Sequence, residues 1–343
     1  METTNPLSVV GIDIAARTLA VAIAHGDASA APAITLANDA AGWRELIAAL
    51  LAQDSAPATT LVVMEATGAY WQGLAMTLHT AGWGVSVVPP ASVRDHARSR
   101  LRRAKTDALD AALLVDYARR QQPARWSPPP PEVAALPLLR RQRDGRPQGS
   151  MVAMRTQTHN RQHALAQLPA VPAEAQAPLV ALARVLTEQI AALDAAIKQR
   201  ARATVTLARE IARLQTITGV GLLTAAVMVT ETRPLRGNAT PRQVVAFAGL
   251  DPAPKESGTS VRGARHMSKT GNARLRRAVY MAALAASRYN PVLKGFYARL
   301  RARGKRPRVA LVAVARKLLV LMTTLLIHER DFDPDWATHR HIT

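Results

Sequence analysis

Three strand-length apolar runs in the first third of the chain limit its fold more than any other feature: Ser8-Val-Val-Gly-Ile-Asp-Ile14, Thr18 to Ala24, and the β-branched run Thr60-Leu-Val-Val-Met64. Runs of this length, bounded by small and polar residues, read as strands. The short Ala15-Ala16-Arg17 connection makes the first two a hairpin. Ala40 to Ala52 has helical periodicity, Glu65 to Tyr70 turns through Gly68 into another helix, and Gly82 to Val88 is a further strand closed by Pro89-Pro90. Strands interleaved with helices predict an α/β domain over residues 1–125.

Four acids fall at the ends of these elements. Asp13 stands near the end of the first strand and Glu65 ends the Thr60–Met64 run. Asp107 and Asp110 stand three apart in Lys105-Thr-Asp-Ala-Leu-Asp-Ala111, which reads as helix, so they share a face. Each alone has a structural reading: a strand terminus for Asp13 or Glu65, and a charge favoured by the helix dipole for Asp107. In an open α/β sheet, sites form where strand ends and helix starts converge. Four carboxylates gathered there suit two hard cations about 4 Å apart, which activate one oxygen and stabilise another in phosphodiester chemistry. Mg²⁺ is the expected ion, or Mn²⁺ in its place, because the donors are oxygens.

Charge points to the same partners. Lys and Arg number 45 against 24 Asp and Glu, a formal net charge of +21. Such an excess implies a polyanion, and nucleic acid is the default. There is no Cys, which excludes disulfides, thiolate metal sites and cysteine nucleophiles. No signal peptide opens the chain, and the most apolar stretch, Val309 to Ile327, carries Arg316 and Lys317 at its middle and reads as a buried helix with a basic edge. The expected location is cytoplasmic, with no membrane partner.

Residues 126–208 read as a connector. Pro128 to Pro131 predicts a stiff, non-helical spacer. Met151 to about Ala208 has helical periodicity broken at Pro169 to Pro178, which fits two antiparallel helices or a coiled coil with a second subunit. Residues 209–343 read as helical. Leu214 to Ala226 holds two helical runs joined by Gly219-Val220-Gly221, whose glycines expose backbone N–H groups to a phosphate in the manner of a helix-hairpin-helix; the plainer reading is a Gly-capped turn. Ser257 lies in a loop. Beyond it Arg262, Arg265, Lys269, Arg274, Arg276 and Arg277 form a dense cationic run leading into a long apolar helix.

Gly11-Ile12-Asp13, Glu65-Ala-Thr-Gly68 and Lys105 to Ala111 resemble the three signatures of the DEDD transposases of bacterial insertion sequences, the family numbered one-ten. Phe247-Ala-Gly-Leu-Asp-Pro252, Ser257-Gly258, Lys269-Thr-Gly-Asn272, Leu275-Arg-Arg277 and Tyr289-Asn-Pro291 are similar to its transposase domain. The resemblance covers nearly the whole chain. It implies an N-terminal RNase H-like (RuvC-like) domain whose Asp13, Glu65, Asp107 and Asp110 bind Mg²⁺, then a coiled coil and a helical transposase domain. It also implies that Ser257 attacks DNA, that a structured RNA from the element guides donor and target DNA, and that the protein works as a homodimer or homotetramer. One departure is Gly145 to Ser150, which interrupts an expected continuous helix. A metal-dependent junction nuclease with no covalent step, and a non-catalytic nucleic-acid-binding protein, are the rival readings.

Overall fold

The computed structural model describes residues 8–100, 106–145, 149–235, 237, 239–253, 256–257, 261–262, 266–268 and 270–335, with the backbone alone at 132, 253, 256–257, 261–262 and 266. The chain forms two compact units, 1–129 and 130–343.

The first unit is a five-stranded mixed sheet with helices on both faces. In chain order its elements are β1 (Ser8–Ile14), β2 (Thr18–His25), β3 (Ile34–Ala37), α1 (Ala40–Ala52), β4 (Thr60–Glu65), α2 (Trp71–Thr80), β5 (Gly84–Val88), α3 (Pro90–Ser99) and α4 (Asp107–Gln121). The strand order is β3-β2-β1-β4-β5. β1, β2 and β3 are antiparallel neighbours, whereas β1, β4 and β5 run parallel. This is the RNase H-like arrangement expected of the N-terminal domain. β3, with alternate residues exposed, is too short and too polar in its surroundings to stand out in the sequence.

The period-two alternation of the strands divides the core. Val10, Ile12, Val62 and Met64 pack with Leu46 and Leu50 of α1 and Leu74 and Leu78 of α2. Val9, Leu61 and Val63 point the other way, onto Val93 of α3 and Ala111, Leu114 and Val115 of α4. Successive strand residues face opposite sides, so Asp13 and Glu65 belong to the second layer, the one that α4 covers.

The second unit comprises α5 (Pro131–Asp144), α6 (Met151–Leu165), α7 (Ala173–Arg200), α8 (Val205–Gln215), α9 (Leu222–Thr232), α10 (Pro241–Phe247), the short strands β6 (Pro252–Ala253), β7 (Glu256–Ser257), β8 (Val261–Arg262) and β9 (His266–Met267), then α11 (Ala273–Tyr289), α12 (Pro291–Ala302) and α13 (Pro307–Ile327). One apolar core runs through it, from Val133 and Leu136 of α5 and Ile197 of α7 to Leu214, Val229, Val279 and Leu318. The middle segment thus shares its core with the C-terminal helices, and the chain divides at Pro129/Pro130.

Several sequence expectations shift here. The spacer ends one residue early, because Pro131 is the first residue of α5, where a missing N–H costs nothing and a fixed φ suits the helix. Pro137 lies within α5, and Pro178 lies inside α7 rather than breaking it. Of the interruption at Gly145 to Ser150, Arg146 to Gln148 lie outside the described residues; Gly145 caps α5, and Ser150 accepts the Ala153 N–H at the start of α6. Among the described residues one helix, α13, is long and apolar enough to cross a membrane. Ala310, Val314, Ala315 and Leu318 on it are buried, the last three in the unit's own core, and its Lys317 ammonium lies 4.7 Å from the centre of the Phe296 ring.

Candidate active site

β1 and β4 are parallel neighbours in the register Ile12↔Met64, which leaves Asp13 and Glu65 one step further along at the same end of the sheet. α4 delivers the other two acids. Thr106 caps it, its hydroxyl oxygen accepting the Leu109 N–H at 3.3 Å, and Asp107 and Asp110 form its first turn. Both lie on the face continued by Ala111 and Leu114, which is the face packed on the sheet.

Gly11 sets the closeness of that packing. A Cβ built there would lie 2.2 Å from the Ala111 carbonyl oxygen and 2.9 Å from the Val115 nitrogen, inside the backbone of α4. The helix carrying Asp107 and Asp110 therefore rests directly on the strand carrying Asp13. The glycine of Gly11-Ile12-Asp13 is needed for clearance.

The electrostatics record the convergence. The Asp13 carboxyl is held above its ordinary value, first by burial and then by the negative charges of Asp110, Asp107 and Glu65; a hydrogen bond from the Ile14 backbone opposes them. Thr67 donates its hydroxyl proton to Glu65 Oε1 at 3.0 Å and so orients that carboxylate. Among the described residues, no three His, Asp or Glu side chains are arranged as a ready metal-binding group. In donor type the four acids fit a divalent cation; in side-chain placement they do not form its ligand shell.

A second cluster lies beside this layer. Asp116 of α4 accepts from His96 at 2.9 Å and pairs with Arg100 at 3.3 Å and Arg120 at 3.0 Å. Burial works against its charge, but the bonds from Arg120 and His96 outweigh it and hold the carboxyl below its ordinary value. These pairs tie α3 to α4.

In the second unit the motif residues build a frame. The Asn272 N–H bonds the Phe247 carbonyl at 2.7 Å, Arg276 donates to the Ala248 carbonyl at 2.7 Å, and the Ser268 hydroxyl donates to Asp251 at 2.6 Å. Gly271, at φ +121°, passes so near Phe247 that a Cβ would lie 2.3 Å from its carbonyl oxygen. From this frame a β-ribbon extends: β6 pairs with β9, and further out β7 pairs with β8 in the register Glu256↔Arg262 and Ser257↔Val261. Ser257 therefore belongs to a short antiparallel strand, not to a loop as its neighbours suggested. Side chains of Ser257 and Arg262, and all of Arg265 and Lys269, lie outside the described residues.

The remaining predicted binding residues have visible partners. Arg274 forks onto Glu231 at 2.8 and 3.3 Å, and Asn272 donates to the same carboxylate at 2.6 Å. Arg277 reaches the Gly145 carbonyl at 3.5 Å. Arg140, missed in the sequence, shares this neighbourhood: burial lowers its guanidinium below the usual value, Asp144 and Glu231 oppose that, and Arg274 and Arg277 reinforce it. Gly219 takes φ +101° and lies against Ala286 of α11, where a Cβ would fall 2.6 Å from the backbone nitrogen. Gly221 precedes α9 with open space around it and no side-chain cap on the helix.

Comparison with known proteins finds one family along the chain, the first match running past the boundary at Pro129/Pro130. The IS110-family DEDD transposase model matches residues 10–168 and the IS116/IS110/IS902 transposase family model matches residues 211–298. The pilin gene-inverting protein of Moraxella bovis is 29% identical over 94% of this chain and 97% of its own length. An IS900 insertion-element protein of Mycobacterium paratuberculosis is 26% identical over 88% of this chain and 91% of its own. An IS110 insertion-element protein of Streptomyces coelicolor is 35% identical over 33% of this chain and 28% of its own. Thermus thermophilus RuvC, solved with a Holliday junction substrate, aligns over 35% of this chain and 99% of its own at a TM-score of 0.27 and 13% identity. With one family's models matching both the carboxylate unit and the unit bearing Ser257, the chain belongs to the IS110 family of insertion-sequence transposases, enzymes that cleave and recombine DNA.

Proposed function

We propose that the chain moves or inverts a DNA segment through a serine–DNA covalent intermediate, with Asp13, Glu65, Asp107 and Asp110 as a divalent-metal site. The observation that carries the metal reading is the raised Asp13 carboxyl: burial and three neighbouring acids make its ionised form costly, and a divalent cation relieves that cost. Mg²⁺ matches the all-oxygen donor set, with Mn²⁺ as its substitute. When bound, such an ion neutralises charge on a phosphodiester and lowers the pKa of coordinated oxygens. The chain's own residues do the rest. Thr67 fixes the Glu65 carboxylate, and Gly11 keeps Asp107 and Asp110 against the strand of Asp13.

In the covalent step Ser257 Oγ forms a bond to phosphorus, the phosphorus–oxygen bond to the departing strand breaks, the serine proton passes to a carboxylate or water, and the departing oxygen leaves as a hydroxyl. Attack of a second strand's hydroxyl on the phosphoserine ester reverses these events, so the bond energy is conserved. Arg262, Arg265 and Lys269 in the sequence that follows Ser257, Arg274, Arg276 and Arg277 at the start of α11, and the open start of α9 at Gly221 supply contacts to the nucleic-acid backbone. The net charge of +21 supports a second polyanion, a structured RNA of the element that selects donor and target by base pairing. The same reading makes the protein a homodimer or homotetramer in the cytoplasm.

The test is to trap the intermediate on a suicide DNA substrate and sequence the cross-linked peptide spanning Lys255 to Arg262. An adduct on Ser257, absent from Ser257→Ala, is the expected result. Wild-type recombination by Ser257→Ala would leave a metal-dependent junction nuclease as the better description.

A further inference from the structure

In the turn that follows Glu65, at the same end of the sheet as the acids, stands an aromatic ring that the chemistry above does not use. Tyr70 ends the turn that follows Glu65, immediately before α2. Its side chain is 53% exposed, in a chain whose aromatics make up only 4%. Among the described residues the large exposed apolar side chains include two aromatics, Tyr70 and Tyr289, and Tyr70 is the one in the unit that carries the acids.

Its exposure is not that of a loose terminus. The Asn38 side-chain amide donates to the Tyr70 carbonyl at 3.4 Å and to the Ala15 carbonyl at 2.9 Å, two residues beyond Asp13. The same amide's oxygen accepts the Trp43 indole N–H at 2.9 Å, and the Asn38 backbone N–H bonds the Arg17 carbonyl at 2.9 Å. Trp43 is wedged in turn against Gly73 of α2, where a Cβ would lie 2.3 Å from the indole ring. One asparagine thus ties the turn after β1 to the turn after β4, and it is locked from behind. The tyrosine ring leans back over Gly68, whose φ of +61° turns the chain there; a Cβ on that glycine would just touch the ring, at 3.4 Å.

We propose that Tyr70 contacts the substrate, its ring stacking on an unpaired base next to the phosphodiester on which the carboxylates act; this rests on reading those carboxylates as the cleavage site. Without a cation the acids repel an approaching phosphate, and a contact that does not depend on charge holds the strand at this edge whether or not the cation is bound. A neutral ring against the face of a base provides one, and it tolerates any sequence because every base has such a face. Asn38 acts as the positioning residue, holding the ring's backbone in register with Asp13.

The experiment uses the full chain and single-stranded DNA oligonucleotides carrying 2-aminopurine at successive positions, bound in chelator and in Ca²⁺. Wild-type protein should quench the fluorophore at one or two adjacent positions. Tyr70→Phe and Tyr70→Trp should keep the quench, whereas Tyr70→Ala should lose it and bind about tenfold more weakly, the scale of one lost base stack. Asn38→Ala should reduce the quench partially while leaving overall affinity nearer wild type, which a merely structural role for Asn38 would not do. Undiminished quench and affinity in Tyr70→Ala overturns the proposal, as does a loss in Tyr70→Phe equal to that in Tyr70→Ala, which would assign the role to the hydroxyl. Unchanged quench together with a change in sedimentation would make the ring a protein contact and also overturn it. Because quenching needs no cleavage, it is independent of Asp107→Asn: normal recombination by that variant defeats the metal-site reading and leaves the stacking measurement to stand or fall alone.

Discussion

The two units mount the groups proposed to react on very different supports. In the first, Asp13 and Glu65 stand at the same end of adjacent parallel strands, and Asp107 and Asp110 ride a helix laid on those strands with no side chain between at Gly11. In the second, Ser257 sits on a strand of two residues, paired only to another of the same length and reached through a ribbon that starts from the Phe247, Ala248 and Asn272 frame. Buried strands and helices hold side chains more narrowly than ribbons do. A metal site needs several oxygens fixed against one another, and the sheet can provide that. A nucleophile that forms and then breaks a bond to DNA needs one oxygen and a path to its phosphate.

The largest test of that contrast removes a ligand. Asp107→Asn should abolish strand exchange in recombination assays while filter binding to DNA and RNA stays at wild-type strength, because the helix and its Thr106 cap survive. Equal activity with and without chelator would break the sheet-mounted half of the comparison.

Next comes the mount itself. Gly11→Val drives a branched side chain into the backbone of α4, and overpacking of this kind costs about 1–3 kcal/mol or more. Thermal denaturation should show the loss, and metal-dependent cleavage should fall with it although every acid is still present. A variant as stable and as active as wild type would mean that the contact of α4 with β1 does not set the site.

The ribbon's anchor should matter less to folding. Arg276→Ala strips the charged donor from the Ala248 carbonyl, a residue with no exposure, at a cost of about 1–2 kcal/mol. Yield of the serine adduct should drop while Mn²⁺ binding, followed by its paramagnetic signal, is untouched. Loss of metal binding in this variant would contradict the independence of the two mounts.

The smallest expected effect is one of pH. Asp13 holds its proton more tightly when folded than unfolded, so it favours the fold below the ordinary carboxyl value of 3.8, and that contribution is lost as pH rises through the raised folded value. Urea titrations without metal should therefore show a stability component that declines upward from about pH 4, absent in Asp13→Asn and offset by saturating Mg²⁺. Metal affinity should weaken on acidification, since the bound carboxylate must be ionised.

Legibility in the sequence followed these supports. The strand-length runs at Ser8 and Thr60 and the helical period from Ala40 were readable because a buried sheet imposes period two and its covering helices a period near 3.6. The four acids could be read from their positions at element ends. The two-residue strands around Ser257 could not, because a run that short leaves no periodicity to detect. Helix α5 was hidden by its prolines, which mark breaks in most settings but here fall at its first position and at Pro137. Asn38 and Arg140 gave no signal: each matters through neighbours distant in the chain, Tyr70 for one and Arg274 for the other.

The bare backbone at Gly11 also has a bearing on time. The strand bearing Asp13 leaves the ribosome well before the helix that seats against it, which does not begin until Asp107. During synthesis the nascent chain therefore exposes a strand pair and half of its acids before the other half exists. The proposed centre, divided in this way, stays inert until the first unit is complete.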